Sequence, residues 1–162
     1  MKLRKLLESV SFNKNFAYID MICSDGDVRL ASDNTPMFYS NGTFRPICGH
    51  WFWDNEYGAD LFCRKLGFTT SHLDKLGRSE SYTTDSVNVG MCKVDDTDVA
   101  SCTGFCNSYK VGSVCHGQDS YSCRAGKAVR IKITCSGGSF KKSHSCRGNL
   151  YFITSVPSDF LH

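Results

Sequence analysis

Ten cysteines carry the most definite chemistry in this chain: Cys23, Cys48, Cys63, Cys92, Cys102, Cys106, Cys115, Cys123, Cys135 and Cys146. The count is even, and no two stand in the C-x-x-C spacing of a zinc ribbon or a thioredoxin-type motif. Cysteine at this density, without metal-ligand spacing, predicts a disulfide framework and hence an oxidising compartment. A thiol held in a bridge is no nucleophile. The other residue types offer no catalytic set. There is no G-x-S-x-G, H-E-x-x-H or G-D-S-G-like motif, and His50, His72, His116, His144 and His162 share no ligand spacing with each other or with a cysteine pair. The expectation is a chain that is not an enzyme and needs no cofactor.

Net charge is only +3 over 162 residues, far from the excess that would predict a nucleic-acid partner. Its distribution is uneven. Arg124, Lys127, Arg130, Lys132, Lys141, Lys142 and Arg147 follow one another with no acid among them, whereas Asp95, Asp96 and Asp98 cluster earlier. The six cations from Arg124 to Lys142 form the candidate ligand-binding surface. They would attract acidic protein surfaces, sulfated glycans or bacterial polyanions over a range that salt screens. The competing reading is a solvated strand face.

These residues need elements to position them. Asn41-Gly42 is a tight-turn signal between Met37-Phe38-Tyr39 and Phe44-Arg45-Pro46-Ile47-Cys48, since both residues tolerate positive φ. Pro36, in the turn cluster Asp33-Asn34-Thr35-Pro36, argues against a central strand there. After Trp51-Phe52-Trp53, which read as core or rim, Asp54 is placed to cap a helix over about Asn55 to Leu66. Its inward face carries Ala59, Phe62, Cys63 and Leu66, and Gly67 ends it. Thr69 to Asn88 is polar and rich in Ser and Thr, which predicts a long surface loop with at most one irregular strand. From Lys127 to Cys135, Val129, Ile131 and Ile133 alternate with Arg130, Lys132 and Thr134, the clearest strand signal in the chain. Its apolar face should close the core and its cationic face should meet solvent. Ser136-Gly137-Gly138-Ser139 reads as a flexible joint, and the aromatic strand-like Leu150-Tyr151-Phe152-Ile153 must pack on the N-terminal arm or on a neighbour.

A strand ending in Cys48, an aromatic link, and a helix written Ala59-x-x-x-Cys63-Arg64-x-Leu66-Gly67-Phe68 resemble the first half of a scavenger receptor cysteine-rich (SRCR) domain. Phe44-Arg45-Pro46-Ile47-Cys48 and Asp54-Asn55-Glu56-Tyr57-Gly58 are similar to the SRCR-like domains of membrane-anchored serine proteases, and Val28-Arg29-Leu30 resembles the opening strand. The resemblance runs from about Val28 to Cys135. It implies bridges from Cys48 to Cys123, Cys63 to Cys135 and Cys92 to Cys102. Cys106 with Cys115 is a local fit, and Cys23 with Cys146 would tie the flanking segments. In the alternative, Cys115 and Cys123 take the last two family positions; the hydrophobic alternation between Cys123 and Cys135 favours the first scheme. The family's cation site is expected to be lost, because Gly49-His50 replaces two of its acids and only Asp96 stands at a matching position, a weak metal candidate at most.

The fold expected is α+β, a small disulfide-rich domain with a curved antiparallel sheet cradling one short helix. Residues 1–22 are expected to be an arm or linker, 23–135 the SRCR-like domain and 136–162 a tail packed on the domain or a partner. Residues 2–8 could form a helical turn or two. The first 22 residues lack the apolar core of a secretory signal and no stretch is long enough for a membrane span. Met1 is therefore expected to be internal to a longer precursor or not the true start. Asn41-Gly42-Thr43 is a glycosylation sequon on an expected exposed turn. The resemblance implies a module, secreted or on the extracellular face of the cell surface, that binds a protein or polyanionic ligand. Two other readings remain: a structural subunit docking on neighbours in an extracellular assembly, and an accessory domain of a larger serine protease.

Overall fold

The computed structural model describes residues 10–12, 15–102, 121–138 and 146–153. Calls that fall on residues 2–8, on Cys106, Cys115, Lys141 and Lys142, and on His116, His144 and His162 lie outside these. The chain divides into two compact units, one built from the two ends and one from residues 23–145.

In the unit of the ends, β1 (Val10–Phe12) and β2 (Asn15–Ile22) form an antiparallel pair, and β2 also pairs along its length with a strand near the C-terminus, Arg147–Ile153. The aromatic segment 150–153 is thus hydrogen-bonded to the N-terminal arm.

The central unit is a small α+β, disulfide-rich domain. Strands β3 (Val28–Leu30), β4 (Pro36–Ser40) and β5 (Thr43–Pro46) form one antiparallel sheet with β4 in the middle. Asn41 and Gly42 take φ of 51° and 79°, so the turn closes with two left-handed residues, one of them glycine. Pro36 opens the central strand. That placement is allowed because a strand's first residue need not donate to the ladder, and the expectation drawn from this proline is corrected to that extent. Alternation is strict on β4: Phe38 and Ser40 are fully buried while Met37 and Tyr39 face outward.

The aromatic link becomes a 3-10 turn at Phe52–Asp54, followed by α1 (Tyr57–Lys65). Asp54 is spent in that turn and does not cap the helix. Asn55 takes the role instead: its Oδ1 accepts from the Tyr57 N–H at 3.0 Å, and its Nδ2 donates to the Cys92 carbonyl at 2.9 Å. At the other end Gly67 (φ 90°) ends the helix as expected. The Gly67 N–H bonds the Arg64 carbonyl and the Phe68 N–H bonds the Cys63 carbonyl, the paired closure of a Schellman motif. α1 buries Gly58, Ala59, Leu61, Phe62 and Cys63. A Cβ on Gly58 would stand 2.6 Å from the Phe52 ring, so only glycine lets the helix approach the aromatic link.

The second sheet corrects the expected loop. Thr70–Lys75 is a regular strand, β6, paired residue by residue with β7 (Ile131–Ser136). It was hidden because Leu73 is its one buried residue; the rest of Thr-Ser-His-Leu-Asp-Lys is polar, and pairing with β7 supplies what its own pattern does not. Ser136 belongs to β7 and bonds Thr70, so the expected joint begins later than Ser136. A single curved sheet is replaced by two antiparallel sheets. β5 gives way at Ile47 to an isolated parallel bridge with Val87, and β7 meets the first sheet's turn through the Ile133 N–H and the Asn34 carbonyl. Val28, Phe38, Ile47, Phe52, Phe62, Ile131 and Ile133 are fully buried between these layers. Trp53, half-buried, lies against Gly49 and Gly77, where a side chain at either position would occupy its ring.

Candidate binding surface

Three bridges fasten these layers, and each joins two cysteines that the resemblance paired. Cys48–Cys123 and Cys63–Cys135 span 75 and 72 residues with Cα atoms 5.4 Å apart, and Cys92–Cys102 closes a local loop. Cys23 and Cys146 are each disulfide-bonded. No cysteine among the described residues is free. No helix among them is long and apolar enough to cross a membrane.

The loop between Lys75 and Cys92 is pinned by residues that sequence reasoning passed over. Tyr82 enters the second core cluster with Cys48, Cys123 and Val129. Its hydroxyl donates to the Ile47 carbonyl at 2.9 Å and accepts from the Ile131 N–H at 3.2 Å. Burial pushes its pKa up from 10.0 to about 12. Ser86 bonds the Cys123 carbonyl through both its N–H and its hydroxyl, and Val87 and Val89 are buried. A lone Tyr between Ser and Thr residues was the available signal.

The candidate cationic surface is divided by its partners. Arg130 does not present a free charge to solvent, which corrects the expected cationic face of the strand. Its Nη1 reaches Glu80 at 2.6 Å and its Nη2 reaches Asp33 at 2.8 Å, so one guanidinium ties β7 to two loops. Asp33 is held below the usual carboxylate range by the Thr35 backbone N–H and then by its hydroxyl, with Arg130 adding to the effect. Lys132 stands across the sheet from Asp74. Lys127 lies over the Tyr121 ring, 3.6 Å from its centroid, and donates to the Tyr121 hydroxyl, which lowers that phenol's pKa. Arg124 is exposed on the same turn.

The acidic loop is committed to structure. Asp96 accepts from the Lys93 N–H at 2.7 Å, and its carboxylate lies near Cys92 and Cys102, whose sulfurs are bonded to each other and offer no thiolate to a metal. Asp98 forms a capping box with Ser101, accepts from Ala100, and pairs with Lys65 at 2.7 Å. Leu61, Arg64, Lys65, Thr97 and Asp98 line a shallow cleft of about 270 Å³ at that pair. His72 bonds Asp74 on exposed β6, and His50 packs against Trp51 with ring centroids 4.3 Å apart. Phe52 is core and Trp53 bridges both core clusters. Asn41, Gly42 and Thr43 are all exposed at the hairpin tip. Comparison with protein-family models, with characterised proteins and with solved structures returned no match.

Proposed function

We propose that this chain is a non-catalytic, extracellular binding module of the SRCR type, recognising protein or polyanionic ligands on loops that its bridges hold. The observation that carries the reading is the pairing of Cys48, Cys63 and Cys92 with Cys123, Cys135 and Cys102 around the hairpin and helix, since that pairing accompanies the motifs of the resemblance. A disulfide-rich domain keeps its loops in place without a large core, which suits secretion and ligand display. Asn41, exposed at the hairpin tip, is then a glycan acceptor.

Anionic ligands are drawn by Arg124, Lys127 and Lys132, with Arg130 serving the fold instead. The test is retention on an immobilised sulfated polysaccharide across a salt gradient. Lys127→Glu with Lys132→Glu should elute at clearly lower salt than the parent. Unchanged retention with unchanged salt dependence would remove the polyanion reading and leave protein ligands. A structural-subunit reading draws on the separate three-stranded sheet made by the two chain ends; tight co-purification at fixed stoichiometry would select it.

A further inference from the structure

Most half-buried cations of the central unit have their charge met. Lys65 has Asp98, Arg130 has Asp33 and Glu80, and Lys127 has the Tyr121 ring and hydroxyl. Arg45 is different. It stands on β5 opposite the fully buried Phe38, half-buried itself, and its Nη2 donates to the hydroxyl of fully buried Ser40 at 2.9 Å. No carboxylate pairs with it among the described residues. Its Nε is one of only two buried side-chain polar atoms among them that have no partner, the other being the Oδ1 of Asn88.

A guanidinium cannot escape burial by losing its proton, so a recessed one without a counter-charge is held at a cost in desolvation. The bond to Ser40 and the packing of its stem on a central strand fix the plane of the fork in advance. A fixed, under-satisfied fork is suited to an acceptor with two oxygens, such as a sulfate or carboxylate group. Thr43 lies two residues back on the same face of β5, exposed, with a hydroxyl to add.

We propose that Arg45 is an oxyanion-recognition site and that its occupant is one sulfate group of a sulfated polysaccharide. The inference rests on the polyanion reading above and deepens it: the lysines on and before β7 supply long-range attraction as point charges, while Arg45 supplies the directional contact on the hairpin.

Two measurements on the intact, fully bridged chain test this. In the first, Arg45→Gln should weaken binding to the sulfated polysaccharide about tenfold or more, and Arg45→Lys should recover only part of it, because lysine restores charge without the fork. The second needs no variant: the Arg45 Nε–H resonance should shift saturably when inorganic sulfate is added, and more weakly or not at all with chloride at matched ionic strength. If the parent binds the polysaccharide and Arg45→Gln, shown folded by its disulfide mass and near-ultraviolet dichroism, binds equally well, the Arg45 site is wrong and the polyanion reading stands. If the parent binds no polysaccharide while the resonance still saturates with sulfate, the oxyanion site stands and the polysaccharide is wrong. Loss of binding to an acidic peptide alone in Arg45→Gln would likewise replace the polysaccharide with an acidic protein. Absence of both signals in the parent overturns both.

Discussion

Two loops of the central unit are held in place by opposite means. Cys92 to Cys102 is closed by its own bridge and a capping box at Asp98, and with those in place Lys93, Val94 and Asp95 can all be exposed. The segment from Leu76 to Val89 has no bridge within it. It is fastened by burying Tyr82, Val87 and Val89, by Ser86 on the Cys123 carbonyl, and by Glu80 on Arg130. A short loop can be fixed covalently at its base; a longer one must send side chains into the core, and those side chains lean on the long-range bridge beneath them. The two loops should therefore respond differently to the loss of each bridge.

The largest effect is expected from Cys48→Ala with Cys123→Ala. On the chain-entropy model, a bridge spanning some seventy-five residues constrains the unfolded chain by about 4.4 kcal/mol, against roughly 2.7 for a ten-residue loop. Denaturant unfolding should show the first double variant losing more than Cys92→Ala with Cys102→Ala. Hydrogen exchange should then show amides from Ser86 to Val89 opening only in the first. A greater loss from the short bridge would mean that the acidic loop, not the core beneath Tyr82, limits stability.

Tyr82 sharpens the same comparison from the non-covalent side. Tyr82→Phe keeps the ring and leaves the Ile131 N–H and Ile47 carbonyl short of a partner, at a cost of about 1–3 kcal/mol. The parent should also carry an alkaline signature. Because the folded pKa, about 12, lies above the ordinary 10.0, the folded state keeps a proton that the unfolded chain loses between those values. The associated stability is full below pH 10 and is lost as pH rises through 12, a contribution of roughly 2–3 kcal/mol. Absorbance titration of tyrosinate should show a late-titrating phenol in the parent that is missing in Tyr82→Phe. An unchanged titration would place the late phenol elsewhere.

This contrast also explains which parts were legible in the sequence. The hairpin at Asn41-Gly42, the stop at Gly67 and the buried face of β7 each follow from local chemistry: positive φ, a left-handed cap, alternating Val129, Ile131 and Ile133. The three described bridges could be paired because a resemblance supplied long-range partners that spacing alone does not. What stayed hidden depended on residues far apart meeting. β6 has one apolar residue turned inward and gains its order from β7. Arg130 looked like a surface charge because Asp33 and Glu80, 97 and 50 residues away, carry no local sign of it. Arg45 was read only as part of a strand motif; nothing beside it in the chain tells that its guanidinium would be recessed over Ser40.

The smallest effect is expected where the longer loop is held by charge alone. Arg130→Gln removes the pairs to Glu80 and Asp33, whose carboxylates are nearly half-exposed, so solvent screening limits the loss to about 1 kcal/mol or less. Asp33 gives the finer reading. Its folded pKa is depressed, so its contribution to stability is present above the ordinary carboxylate value and is lost as pH falls through the lower folded value. Thr35 is the larger cause of that depression and is untouched by the substitution. The carboxyl titration of Asp33, followed by carbon-detected NMR, should therefore move only part of the way back toward 3.8 in Arg130→Gln, and further in Thr35→Val, which removes the hydroxyl but keeps the charge of Arg130. A complete return in Arg130→Gln alone would make the ion pair the dominant restraint on the turn. In that case the longer loop would be held mainly by charge and not by what it buries.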